Sequence, residues 1–232
     1  MGAMNTETEW ETVGERIRFA RDAAGMSVRE LSRRIDVSAS HVSQVERGLA
    51  SFSVRALYNV VSTLGISMDS LFGGSTLDST PARIEDEVAA TAQAGPLDDA
   101  GIVLRSSARP SMQLESGPRW ERLTAKPEVG AEFIEVIYAP AEGAAPPEDF
   151  IRHIGREYGI IIQGTLSVQV GFGGAEMHVG DSIAFDSSIP HRFWNQTGGE
   201  VKAVWFVWDA IAKDMEADFP GANSTSHHHT NS

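Results

Sequence analysis

Residues 26–48 read Met26-Ser-Val-Arg-Glu-Leu-Ser-Arg-Arg-Ile-Asp-Val-Ser-Ala-Ser-His-Val-Ser-Gln-Val-Glu-Arg-Gly48, two short amphipathic segments joined by a polar turn. In the first segment Val28, Leu31 and Ile35 fall on one face at helical spacing. Ser27 followed by Glu30 is a capping box, in which serine accepts from the helix amide and glutamate reaches back. In the second, Ser38 is placed to cap and Val42, Val45 and Leu49 form the inner stripe. Ser40, Gln44 and Arg47 lie roughly opposite, at i, i+4 and i+7. A short helix with an apolar back and a small or amide-bearing front can enter the DNA major groove. Gln44 is suited to paired hydrogen bonds with adenine, and Arg47 to phosphate or guanine. Arg29, near the start of the preceding helix, is placed to anchor a backbone phosphate.

Working outward, Val13, Ile17, Ala20 and Ala24 form an earlier stripe that Gly25 ends, and Ser53 opens a helix with Val54, Leu57, Val61 and Leu64 inward. Gly65 stops that helix, and residues 67–72 make a last short turn. The run quoted above resembles the XRE family, the phage-repressor type of helix-turn-helix, over about residues 12–72. The ending Val-Ser-Gln-Val-Glu-Arg-Gly is its most specific part. The resemblance implies that Ala39, Ser40 and Gln44 face bases, and the candidate DNA-contact set becomes Arg29, Ser38, Ala39, Ser40, His41, Ser43, Gln44 and Arg47. Val28 stands where a glutamine is often found, which leaves one phosphate contact to Arg29.

Beyond Gly73 the helical periodicity ends. Gly, Ser, Thr, Ala and Pro mixed with Glu85-Asp86-Glu87 and Asp98-Asp99 read as an acidic linker, with a short helix near residues 82–92. From about residue 101 the runs at 132–138, 158–163, 166–170 and 201–208 are rich in β-branched and aromatic residues. Gly164, Gly171, Gly173, Gly174, Gly180, Gly198 and Gly199 break them at short intervals. Many short strands between glycine turns describe a sandwich or barrel. His153, Glu157 and His191 are placed to converge there. Two imidazoles and one carboxylate form a facial triad that suits Fe(II) and accommodates other divalent metals.

His153-Ile-Gly-Arg-Glu157, with Gly164 following, resembles the first cupin motif, and Gly180-Asp-Ser-Ile-Ala-Phe-Asp-Ser-Ser-Ile-Pro-His-Arg-Phe-Trp-Asn195 resembles the second. Family likeness implies a double-stranded β-helix with His153, Glu157 and His191 as ligands of a divalent metal (Fe, Zn, Ni or Mn). Without a metal, the same side chains would hold an organic ligand directly. The first motif normally carries an earlier histidine where this chain has Ile151, so a four-ligand site is unavailable and a three-ligand site survives. Asp186 and Ser188 replace a usual proline and glycine, which alters a turn and not a ligand. The remaining features take plainer readings. Trp205, Phe206, Trp208 and Trp120 read as barrel core and interface, His178 as a surface residue, and residues 142–149 as a loop near the barrel mouth. His227, His228 and His229 form a tag-like or weakly metal-binding triplet.

Composition sets the outer limits. Without cysteine, disulfides and thiolate metal sites are excluded, which favours a reducing cytoplasm. No stretch of about 18 apolar residues or signal pattern is present, so no membrane association is expected. The net charge of −13 argues against a nucleic-acid binder over its whole surface. Residues 12–65 nevertheless carry eight arginines against five acids, as expected of a mildly basic reader joined to an acidic sensor.

The expected fold class is therefore α + β in two domains: a five-helix repressor-like helix-turn-helix domain (10–73), an acidic linker (74–100), an antiparallel cupin β-barrel (101–210) and a disordered tail (211–232). The expected function is sequence-specific transcription regulation. Its partners are double-stranded DNA, a small-molecule effector in the barrel, and a second copy of the chain, the barrels pairing through their edge strands. The alternative is a mononuclear non-haem iron enzyme of the epoxidase or oxygenase type, with a vestigial helix-turn-helix. The polar front of Ser40, Gln44 and Arg47, for which an enzyme has no need, favours the regulator.

Overall fold

The computed structural model describes residues 6–72, 95–115 and 117–208. The expected helix near 82–92, most of the linker and the tail with its histidine triplet lie outside them. Four helices, α1 (Thr6–Ala23), α2 (Val28–Arg34), α3 (Ala39–Val45) and α4 (Val54–Leu64), precede a 3-10 turn at Met68–Leu71. Serines set their starts: the side chains of Ser27, Ser38 and Ser53 accept from the amides of Glu30, His41 and Ala56. Each satisfies a helix N–H that has no partner within the helix. The return half of the expected capping box is replaced, because Glu30 pairs with Arg34 one turn on, at 2.6 Å. Gly25 and Gly65 leave their helices at φ of +63° and +66°, the left-handed region that glycine enters at least cost.

Val13, Ile17, Leu31, Ile35, Val42, Val45 and Leu57 close the helical core. Two stripe positions fall outside it. Ala24 lies past the end of α1 and is exposed. Leu49 lies past the end of α3 and remains 69 % exposed. The spacing continued but the helices did not. At Gly14 a Cβ would stand 2.1 Å from the Val45 carbonyl oxygen, so α1 and the end of α3 pack backbone against backbone. Beside that contact the buried Arg21 guanidinium makes a two-pronged pair with Glu46, at 2.6 and 2.9 Å.

One helical turn, Pro96–Asp99, falls in the described end of the expected linker. The barrel follows: β1 (Ser111–Gln113), β2 (Arg119–Arg122), β3 (Ala131–Tyr138), β4 (Arg156–Gln163), β5 (Thr165–Val170), β6 (Gly173–His178), β7 (Ser182–Asp186), β8 (His191–Trp194) and β9 (Val201–Trp208). A six-stranded sheet runs in the order β1-β2-β3-β9-β4-β7 and a three-stranded sheet in the order β6-β5-β8, with all pairings antiparallel. Alternation does the sorting. On β9, Val201, Ala203, Trp205 and Val207 are buried, and Phe206 and Trp208 point outward. On β4, Glu157, Gly159 and Ile161 face in. A Cβ at Gly159 would meet the Trp205 ring at 2.5 Å, so glycine there makes room for the indole lying across it.

The helical unit and the barrel share an extensive seam. Arg122 on β2 is fully buried and stands 3.8 Å from the equally buried Asp69. The other carboxylate oxygen of Asp69 accepts the Glu128 amide at 2.7 Å. A buried charge pair is retained only where further hydrogen bonds complete it. Arg122 accordingly also donates to the carbonyls of Thr124 and Asp69.

Candidate functional site

The described residues hold two candidate sites. The first is α3. Val42 and Val45 are completely buried, while Ser40, Gln44 and Arg47 are all exposed. The helix therefore turns a polar front to solvent, with Arg29 exposed nearby on α2. The other predicted residues divide. Ser38 is committed to capping, and Ala39 and Ser43 are half-buried beside the front. Arg47 follows the helix end and donates to the Ser43 carbonyl at 3.0 Å. His41 turns away from the front. Its ring meets the edge of Phe52 at 5.3 Å, and its Nε2 stands 3.7 Å from the Glu115 carboxylate of the barrel unit. The local positive charge is also smaller than the arginine count implied, since Arg21 is buried on Glu46 and Arg34 is paired with Glu30.

The second is a cavity of about 260 Å³ between the sheets, walled chiefly by Trp120, Ile134, Val136, Tyr138, Phe193 and Trp205. His153, Glu157 and His191 stand together on its lining, with all three ligand atoms within 4.8 Å of one another. The fold explains the meeting. Glu157 points inward from β4, His153 precedes that strand across a turn with Gly155 at φ +115°, and His191 opens β8 in the opposite sheet. A bridge between Ile151 and His191, with hydrogen bonds of 2.8 and 3.1 Å, ties the segment leading into β4 to the start of β8.

The protonation pattern follows from the partners. His153 Nδ1 lies 3.2 Å from the Ile154 carbonyl and His191 Nδ1 lies 2.9 Å from the Ile189 carbonyl. A carbonyl only accepts, so each Nδ1 carries a hydrogen and each Nε2 is left to face Glu157. Those Nε2 atoms stand 2.7 and 3.0 Å from Glu157 Oε1. His153 Nε2 and Glu157 Oε1 are both buried, and neither has a partner in hydrogen-bond geometry. Burial alone would push the Glu157 carboxyl up, but the two imidazoles outweigh it and hold it at about 2. Once the Nε2 atoms give up their protons, three lone-pair atoms this close and this buried need a cation among them. The donor set therefore fits a divalent metal, with both histidines already oriented from behind by backbone carbonyls.

Two residues at this site carried no sequence signal. Tyr58 of α4 lies flat on the His153 imidazole, with centroids 4.1 Å apart and an interplanar angle of 4°. The Glu132 carboxyl of β3 lies close enough to act on its hydroxyl. The helical unit also supplies Ser53, Val54 and Arg55 to the cavity wall. Arg55 pairs with Asp149, at the end of the predicted mouth loop, at 2.7 Å. Trp120 and Trp205 are core residues that also line the cavity, and their indole N–H groups have no hydrogen-bond partner among the described residues.

A capped helix-turn-helix with an exposed polar front, joined to a β-barrel with a His-Glu-His cavity, is the architecture of a two-domain transcription regulator. The comparisons with known proteins agree. The Helix-turn-helix family model matches residues 17–71 and the Cupin domain model matches residues 134–207. The HTH-type transcriptional regulator PuuR of Escherichia coli is 22 % identical over 191 residues, covering 82 % of this chain and 91 % of PuuR. The uncharacterised HTH-type transcriptional regulator y4dL of Sinorhizobium fredii is 38 % identical over 58 residues, covering 25 % of this chain and 30 % of y4dL. A solved HTH_3 family transcriptional regulator from Vibrio cholerae superimposes with a TM-score of 0.58 at 18 % identity, covering 88 % of this chain and 98 % of that one. Hydroxypropylphosphonic acid epoxidase from S. wedmorenis reaches a TM-score of only 0.39 at 18 % identity, too slight a likeness to support the enzyme reading. The chain carries an N-terminal XRE-type helix-turn-helix domain and a C-terminal cupin domain, and it is a helix-turn-helix transcription regulator homologous to PuuR.

Proposed function

We propose that the protein reads a specific DNA site as a homodimer, and that occupancy of the cupin cavity, with a divalent metal on His153, Glu157 and His191, sets its affinity for that site. The observation that carries the reading is the division of α3 into a buried valine back and an exposed front of Ser40, Gln44 and Arg47. Ser40 and Gln44 are then the base-reading residues. Arg29 and Arg47 make phosphate contacts, with Ser38, Ala39 and Ser43 at the rim. His41 serves the seam instead of the DNA. Among the described residues no helix is long and apolar enough to cross a membrane. A DNA reader of this kind works in the cytoplasm.

When bound, the metal supplies a Lewis-acidic attachment point for a donor atom of the effector. The aromatic walls exclude water and set the shape of what enters. An effector controls DNA binding only through a difference in affinity between two arrangements of the protein.

The test is in vitro selection from random duplex DNA with the full chain, alongside Gln44→Ala. A two-fold motif is expected from the wild type. In the variant, discrimination at one base pair per half-site falls by about 1–3 kcal/mol, the usual value of a paired amide–adenine contact. A folded protein that enriches no sequence at moderate salt would refute the reading.

A further inference from the structure

We propose that the cupin site is a two-domain site in which Tyr58 of the DNA-reading unit is the positioning residue for the metal ligand His153, so that metal binding and the placement of the reading helix form one linked equilibrium. This rests on the reading of His153, Glu157 and His191 as a metal site. Three contacts carry it. Tyr58 covers the flat face of the His153 ring at 4.1 Å and nearly parallel, with the Glu132 carboxyl beside its hydroxyl. Arg55, one turn earlier on α4, holds Asp149 at the cavity mouth at 2.7 Å and reaches toward Asp36, in the turn between α2 and α3, at 3.8 Å. His41 on α3 packs edge-on against Phe52, just before α4, and faces Glu115 across the seam.

The consequence is geometric. A metal on His153 Nε2 fixes the imidazole plane, since the opposite nitrogen is already held by a carbonyl. A fixed plane gives Tyr58 one surface to lie on, and α4 one seat against the barrel. Because α4 reaches the α2–α3 turn through Arg55 and α3 through Phe52 and His41, its seat sets the pitch of the reading helix. Linkage then requires reciprocity: whatever factor the metal applies to DNA affinity, DNA applies to metal affinity.

The test uses the full chain with His227, His228 and His229 replaced by alanine, and Co(II) as the probe. Co(II) affinity is measured by its absorption bands with and without the selected operator, and operator affinity with and without Co(II). In the wild type both ratios are expected to be equal and about tenfold, within the usual range of coupling between sites. Tyr58→Ala is expected to lower Co(II) affinity by about tenfold and to bring both ratios to one, while Tyr58→Phe, which keeps the stacked ring, retains most of the coupling. Circular dichroism and a denaturation midpoint show whether each variant is folded. If Tyr58→Ala unfolds, Asp149→Asn and Arg55→Gln, which loosen the same seat from the mouth side, are expected to shrink both ratios. Co(II) binding by the wild type with ratios of one, or ratios unchanged in every folded variant, overturns the proposal and leaves the metal site standing. Failure of the wild type to bind Co(II) removes the metal reading and the proposal together.

Discussion

Glu132 enters the barrel from β3 in register with Val207, and Glu157 enters from β4 in register with the same residue. Two carboxylates thus share one inner face, and their environments push them apart. Glu157 is held at about 2 by its imidazoles. Glu132 is pushed up to about 7, chiefly by burial, with Glu157 and Asp69 adding to the effect and His153 and Tyr58 opposing it. The direction of the stability change follows. In the unfolded chain Glu132 ionises near its ordinary 4.5, while in the fold it keeps its proton to about 7. Between those values the folded state binds more protons than the unfolded state, so this residue's contribution to stability falls as pH rises through that window. Glu132→Gln has no such proton to lose. With chelator present, its denaturation midpoint relative to wild type is expected to climb between pH 5 and pH 7 and to level off above. A difference that stays constant from pH 5 to pH 8 would show that Glu132 titrates as an ordinary surface carboxyl.

At the scale of elements, what the sequence made legible depended on whether the signal was local. Caps and periodicity are local, and the serine-led starts of α2, α3 and α4 follow directly from residue order. The His153, Glu157 and His191 cluster was readable too, because each residue sits in a short motif tied to a turn. Contacts across the seam were not. Nothing within ten residues of Tyr58 marks it as a partner of His153, since an aromatic residue on an amphipathic helix reads as core. The far end of α3 failed for the opposite reason: the i, i+3, i+4 pattern runs on to Leu49, but the backbone turns out of the helix after Val45. What stops it is Gly48, which takes φ +70° while its amide and that of Leu49 return to the Val45 and Gln44 carbonyls at 2.9 Å each. The Arg21 and Glu46 side chains meet in a buried pair just past the last helical turn, and Arg21 also donates to the Met26 carbonyl at 2.9 Å. Removing one partner strands the other charge, so Arg21→Ala is expected to cost about 3–5 kcal/mol, whereas Arg21→Met with Glu46→Leu is expected to be close to neutral. Urea midpoints of the three proteins decide this. Similar losses in the single and double variants would mean that shape, not the stranded charge, sets the cost.

At the scale of the whole molecule, the described residues include a broad apolar surface that lies on a sheet face and not along a sheet edge. Phe133, Phe206 and Tyr158 stand in cross-strand register on β3, β9 and β4, with ring centroids 6.5 and 6.3 Å apart. Ile160, Ile162 and Trp208 extend the same outward face, each more than 40 % exposed. Contiguous apolar patches of this kind mark interaction sites, and a homodimeric regulator needs a self-complementary one. The expected edge-strand pairing would leave this face in water, whereas two-fold packing of face on face covers it in both copies. Tyr158→Glu with Phe206→Glu places two charges at the centre of that contact. Sedimentation velocity is expected to show a dimer for wild type and a monomer for the variant with its circular dichroism unchanged. Operator binding should then weaken steeply, because two half-sites would no longer be engaged as one. A variant that remains dimeric would put the interface elsewhere and return the edge strands β1 and β7 to consideration.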